Sequence, residues 1–305
     1  MTQQHQQLTR GIYLMLIACI ILPMMDATSK SMGVTIAAGL IVLARFFFQS
    51  LFLSPFVWRT LYWPTGLELR LHLLRAFTLS FATLCFFTAI QVMPIADALA
   101  IFFVMPLIVT LLAPWILGEV AGWRRLLAVT IGMIGAVIII QPSHEIFGWR
   151  AILPLGTALN FSFYLMFTRK LARSTETGEG LSPLAMQFWS GFFGFILTAL
   201  AIALLQPLDW QVFELSWPEL WQWWRLVLVG IFAAVGHLIM TSAFKYADAS
   251  ILAPFQYVEL IVAALLGWWL FDDIPTMTTW LGTAILVASG LYIFQRERKL
   301  VQTDS

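Results

Sequence analysis

IADALAIFF, residues 95–103, returns as YADASILAP, residues 246–254, and WILGEV, residues 115–120, returns as WWLFDDI, residues 268–274. Asp97 and Asp248 stand 151 residues apart, while Trp115 with Trp269, Glu119 with Asp273 and Gln141 with Gln295 share an offset of 154. The identities are few but collinear, which marks an internal repeat. Each copy is embedded in apolar runs of bilayer-crossing length. A hydrocarbon core about 30 Å thick needs roughly 20 apolar residues per helix, and such runs cover approximately 11–29, 35–57, 72–92, 95–117, 126–141, 150–170, 184–205, 226–244, 250–271 and 277–295. Each copy holds five. An odd number leaves the chain on the opposite face, so the second copy enters the membrane inverted. The expected fold is all-α and integral to the membrane, with ten transmembrane helices as two inverted five-helix repeats, residues 1–142 and 143–305. Inverted repeats are the architecture of many secondary transporters, whose cargo site lies near the midplane where the halves meet.

Composition agrees. The 305 residues are 60% hydrophobic and 11% charged, against about 25% charge in an ordinary soluble domain, and the mean hydropathy is +0.86. A formal net charge of +1 gives no footprint for nucleic acid. Charge placement sets orientation, because lysine and arginine in short loops stay cytoplasmic. With the N-terminus inside, twelve fall on the inner side (Arg10, Arg59, Arg70, Arg124, Arg125, Arg169, Lys170, Arg173, Lys245, Arg296, Arg298, Lys299) and three on the outer (Lys30, Arg150, Arg225). Both termini are therefore expected in the cytoplasm. The first span starts at Gly11 without a small-x-small cleavage site and reads as a retained helix. Trp210, Trp217, Trp221, Trp223 and Trp224 suit the headgroup level.

Motifs for enzymatic chemistry are missing: no GxxxxGK[ST], GxGxxG, HExxH or G-x-S-x-G occurs. The chain reads as a carrier, not an enzyme. Cys19 and Cys85 lie apart in apolar runs, which supports neither a disulfide nor a metal site, and no cofactor is implied. Chemistry is left to polar groups inside spans, where each charge costs about 2.5–3.5 kcal/mol on insertion scales. Such groups persist only if paired, hydrated or lifted to an interface.

IILPMMDATSK, residues 20–30, holds Pro23, expected to bend the first span, and Asp26 and Lys30, four apart and able to pair along one face. Lys30 is expected at the outer interface and Asp26 about a turn deeper. Arg45 in VLARFFFQS is too central to reach water and is expected to pair with an acid such as Asp26 or to line a cavity. Arg75 in HLLRAFTLS is able to snorkel to the cytoplasmic face. Glu259 in PFQYVELIVAALLG serves a proton or a cargo charge, or else bridges helices as a neutral acid, and Pro254 loosens the turn that carries Gln256 and Tyr257. Asn160 and Tyr164 share one face of the sixth span, and His237 is placed to relay a proton or to bond a neighbouring carbonyl. Asp97 and Asp248 read as helix caps and Glu119 and Asp273 as loop ends. Gly118 and Gly122, Gly132 and Gly135, and Gly191 and Gly194 allow close helix approach.

LARFFFQS, GEVAGWRRLLAVTIGMIGAVIII and FDDIPTMTTWLGTAILVASGLYI together resemble the EamA-type branch of the drug/metabolite transporter superfamily across nearly the whole chain. The spacing of Asp273, Gly282 and Gly290 matches the family pattern. It departs at Ala128 and Ala136, where glycines are usual, and at Asp273, where glutamate is usual. The resemblance implies a secondary carrier working by alternating access in the bacterial cytoplasmic membrane. Its central cavity would be lined mainly by spans 1, 3, 4, 6, 8 and 9, with transport driven by a proton or cargo gradient. ILPMMDATSK and APFQYVEL are similar to a subgroup that includes riboflavin importers. Riboflavin uptake is therefore the leading expectation, with Phe86, Phe87, Phe102, Phe103, Tyr164 and Tyr257 available to sandwich an isoalloxazine; export of amino acids or related amphipathic metabolites is the alternative.

Overall fold

A computed structural model describes residues 3–60, 62–117, 127, 130–131, 134–135, 137–138, 148–174, 182–246, 252 and 255–303. Among these residues every regular element is a helix. In chain order they are α1 (Gln3–Lys30), α2 (Ala38–Val57), α3 (Gly66–Ile90), α4 (Ile95–Phe102), α5 (Met105–Leu117), α6 (Ile152–Ser174), α7 (Pro183–Leu205), α8 (Leu220–Ala243), α9 (Val258–Phe271) and α10 (Met277–Thr303). Five described stretches, 6–30, 38–57, 66–90, 183–208 and 220–243, are long and apolar enough to cross a bilayer, and shorter apolar helices cover 95–109, 258–271 and 277–289. The span expected at 126–141 lies mostly outside the described residues, as do Gly118, Glu119, Gly122, Gly132, Asp248 and Pro254.

The fourth expected span is two helices. Pro106 has no amide hydrogen to donate to the Phe102 carbonyl, and its ring crowds the preceding turn. The backbone turns instead at Phe103–Val104, where the Phe103 amide bonds Leu99 and the Leu107 amide bonds Val104. Pro23, by contrast, sits inside α1, which stays helical through it. Two helix starts are built by side chains: the Ser182 hydroxyl accepts the Ala185 amide hydrogen at 3.1 Å, with Pro183 opening α7, and Glu219 with Gln222 forms a capping box on α8.

α4 is buried throughout Ile95–Ile101 and sits against α6 and α9. Around it α3 packs on α6, α1 on α8, α2 on α7 and α8, α3 on α7, α1 on α9, and α5 on α6. Exchanging α1 for α6, α2 for α7, α3 for α8 and α4–α5 for α9 maps each of these pairings onto another or onto itself. Glycines bring the backbones close. A Cβ at Gly194 would lie 2.7 Å from the Phe46 ring, and one at Gly230 would overlap the Phe48 Cβ and stand 3.0 Å from the Gln49 amide nitrogen. Outward faces stay apolar, as Leu73, Leu74, Phe77 and Phe81 on α3 show, an arrangement that lipid tolerates and water does not.

The end of α1 corrects two expectations. Lys30 does not pair with Asp26; its ammonium donates to Asp273 Oδ2 at 2.6 Å and to the Met93 carbonyl at 2.8 Å. Its side chain is largely covered by protein, being 13% exposed. Asp97 does not cap α4, whose cap position is Pro94. The tryptophan stretch stays exposed, with the Arg225 guanidinium over the rings of Trp221 and Trp224 at 4.7 and 5.3 Å and donating to the Ser31 hydroxyl at 3.0 Å.

Gly230→Ala is expected to lower stability by about 1–3 kcal/mol, because backbone on α2 must give way. Gly156→Ala, which meets only Cys85 Sγ at 3.5 Å, should leave the thermal midpoint unchanged or raise it. Melting the purified variants in detergent compares the two.

Candidate functional site

A cavity opens at the centre of this packing, with about 730 Å³ of non-atom space that includes the open solvent at its mouth. α1 supplies Asp26, α2 Arg45, α3 Thr83 and Phe86, α4 Phe102, α6 Phe161 and α8 His237; Gln256 and Glu259 come from around the start of α9. Five of the nine polar residues singled out in the sequence, Asp26, Arg45, His237, Gln256 and Glu259, thus face one space. Arg75, Asn160, Tyr164 and Tyr257 do not line it.

Arg45 is 1% exposed and held by three helices. Nη1 donates to the Thr83 hydroxyl at 3.0 Å, Nη2 stands 3.0 Å from His237 Nε2, and the guanidinium lies 4.5 Å over the Phe46 ring. The Thr83 hydroxyl passes its own hydrogen to the Leu79 carbonyl at 2.8 Å. Because a guanidinium has donors only, His237 Nε2 must accept, which leaves the imidazole hydrogen on Nδ1 and the ring neutral in this arrangement. The proton relay considered for His237 is therefore closed while Arg45 holds it. Among the described residues no carboxylate lies within 4.0 Å of Arg45, so the expected ion pair with Asp26 is not formed. Asp26 and Glu259 line the cavity together without such a pair.

A second polar layer joins the N-terminal half of α3 to the C-terminal half of α6. Arg75 does not snorkel: it is 1% exposed, donates from Nε to the Thr168 hydroxyl at 2.8 Å, and lies 5.2 Å over the Tyr164 ring. Gln187 Nε2 reaches the Tyr164 hydroxyl at 3.5 Å and the Thr241 hydroxyl at 3.3 Å, and Gln49 Nε2 donates to the Gln187 carbonyl at 3.0 Å. In the loop before α3, Tyr62 donates to Glu68 Oε1 at 2.6 Å, and desolvation together with that carboxylate pushes its phenol up to about 12. Asn160 donates to its own helix at Gly156, at 2.9 Å. Tyr257 packs on Phe103 with ring centres 5.2 Å apart.

The aromatic wall joins Phe86 to Phe102 at 6.2 Å and Phe102 to Phe161 at 5.4 Å. Phe86, Phe87, Phe102 and Phe103 belong to the expected set; Phe161, Thr83 and Thr157 were not picked out. Phe161 stands four residues from Thr157 on one face of α6, a spacing that gains meaning only once Thr157 is seen to bond the Ala82 carbonyl of α3 at 3.2 Å.

Comparison with known proteins adds a family match, three relatives and a shared fold. The profile described as EamA-like transporter family matches twice, over residues 9–141 and 148–295. The S-adenosylmethionine uptake transporter of Rickettsia prowazekii is 26% identical over 95% of this chain and 94% of that protein. The riboflavin transporter of Vibrio cholerae is 30% identical over 75% and 72%, and the pseudopaline exporter CntI of Pseudomonas aeruginosa is 24% identical over 95% and 98%. A solved crystal structure superposes with a TM-score of 0.64 at 16% identity, covering 97% of this chain and 99% of that one, which establishes the shared fold.

Nitrogen-15 NMR of histidine-labelled protein in nanodiscs should find His237 with hydrogen on Nδ1 and a pyridine-type Nε2, a preference that Arg45→Met removes. His237→Leu should cost about 1–3 kcal/mol in thermal stability by leaving a buried guanidinium donor unpaired, and His237→Gln, which restores an acceptor, should recover most of it.

Proposed function

The chain belongs to the EamA-like transporter family, and from that premise we propose that it is a secondary carrier for uptake of a small, ring-bearing metabolite across the bacterial cytoplasmic membrane. Ten membrane helices, both termini cytoplasmic, form two inverted repeats, 1–142 and 143–305, that expose the central cavity to either side in turn, driven by a proton or cargo gradient. The doubled profile match, the exchange symmetry of the helix pairing and the charge asymmetry of the loops all support this arrangement. The relatives compared are named as transporters, not enzymes.

The observation that carries the cargo assignment is the combination of three ionisable groups with an aromatic wall in a single cavity: Asp26, Glu259 and Arg45 beside Phe86, Phe102 and Phe161. Two acids and one base complement a zwitterion with excess positive charge on a heteroaromatic body. S-adenosylmethionine has that form, with a sulfonium and an ammonium, one carboxylate and an adenine. The length of the match to the Rickettsia prowazekii transporter supports the same choice. Riboflavin is the second reading, favoured by the higher identity to the Vibrio cholerae protein; its neutral ring would use the phenylalanines and leave the acids without a role. Export of an amino-acid-like metabolite is the third, after the Pseudomonas aeruginosa relative.

Counterflow into proteoliposomes preloaded with unlabelled cargo tests the order. Labelled S-adenosylmethionine should accumulate, labelled riboflavin should not, and Asp26→Asn or Glu259→Gln should each weaken uptake about tenfold or more by removing a charge-assisted contact. Riboflavin flux unaffected by those changes would reverse the assignment.

A further inference from the structure

Away from the cavity, where α1 ends and α4 and α10 begin, one lysine fastens the two halves together. Lys30 and its carbonyl acceptor Met93 come from the first half. Asp273, 2.6 Å from the ammonium, and Phe271, whose ring centre lies 5.3 Å from it, come from the second. A third charged group stands beside them. Asp97, in the first turn of α4, is 0% exposed, and among the described residues no ammonium or guanidinium is in salt-bridge contact with its carboxylate. Its charged neighbours are Lys30 and Asp273, and the Thr279 hydroxyl of α10 lies next to it. Thr276 and Thr279 are hydrogen-bonded at 2.9 Å, a contact in which either hydroxyl can donate, so Thr279 is able to accept there and turn its own hydrogen toward Asp97.

A buried carboxylate with no opposite charge in contact is costly, and such a group calls for a reason. The reason lies in the grouping of charges: one ammonium has two carboxylates for charged neighbours, and only Asp273 is bonded to it. We propose that Lys30, Asp97 and Asp273 are the outer gate of the carrier, closed here by the Lys30–Asp273 bond, and that Asp97 takes over the ammonium when Asp273 draws away. The exchange separates first half from second at this end without leaving the lysine bare, since Lys30 and Asp97 both travel with the first half. It also gives both states a paired ammonium, which keeps them close in free energy, as alternating access requires. The word outer rests on the orientation proposed above.

The test needs no cargo. In a background with Cys19 and Cys85 replaced by alanine, a cysteine at cavity residue Phe103 is labelled with a membrane-impermeant maleimide in right-side-out and inside-out vesicles. Asp273→Asn should speed labelling from the outer side about tenfold, because the closed state loses a charged bond. Asp97→Asn should slow it below the parent, because the open state loses its partner. The charge exchange Lys30→Asp with Asp273→Lys restores the closing bond but leaves Asp97 beside a second carboxylate when the halves part, so labelling should fall below the parent, the opposite of Asp273→Asn, which separates gating from misfolding. Spin labels at exposed Val34 and Ile274 report the same opening as a longer distance in Asp273→Asn. If the two single variants shift labelling in the same direction, or neither shifts it, the gate is wrong. Opposite shifts seen only from the inner side would retain the gate and overturn the orientation.

Discussion

A guanidinium at the centre of an apolar bundle must be given partners by the helices around it, and Arg45 imposes that demand here. Its nitrogens reach Thr83 on α3 and His237 on α8, and its flat face covers Phe46 on its own helix. Those bonds tie α2 to α3 and α8 at the depth of the cavity. They also decide the state of the histidine, since a donor-only partner leaves the ring nitrogen facing it no choice but to accept. A residue costly to bury thereby orders the cavity wall, and the acids Asp26 and Glu259 are left to face the space rather than the arginine.

Tight backbone contact makes this arrangement possible. Gly191 and Gly194 bring α7 onto α2, and Gly230 brings α8 onto the same helix. α2 is therefore clamped from two sides over the stretch that carries Phe46, Phe48 and Gln49. Without hydrocarbon-excluding water to drive them together, membrane helices depend on such contacts and on buried hydrogen bonds. The Gln49–Gln187–Tyr164 chain supplies the latter one layer away from the cavity.

What could be read from the sequence follows a physical divide. Apolar runs set by bilayer thickness located α1, α2, α3, α6, α7, α8, α9 and α10, because that signal is local and accumulates over about 20 residues. The cost of charge in hydrocarbon made Asp26, Arg45 and Glu259 visible. Their partners were not visible, since a threonine inside an apolar run normally bonds its own preceding turn and gives no sign of an arginine 38 positions away. Lys30 and Asp273 are 243 residues apart, and nothing local to either reveals the other. Asp97 was misread for the opposite reason: an acid near a helix start usually caps it, and here Pro94 holds that position instead. Within 95–117 hydropathy alone joined α4 to α5; the missing amide of Pro106 breaks them, a backbone effect that a hydropathy sum does not contain.

The joint between α4 and α5 has a mechanical meaning. Phe102, Phe103 and Met105 flank it and also line the cavity, so the surface a flat ring would rest on is carried by the same few residues that absorb any change of angle between the two helices. Ring thickness and joint torsion are then a single variable. Any change of angle between α4 and α5 would therefore reshape the cavity wall at Phe102 and Phe103 directly.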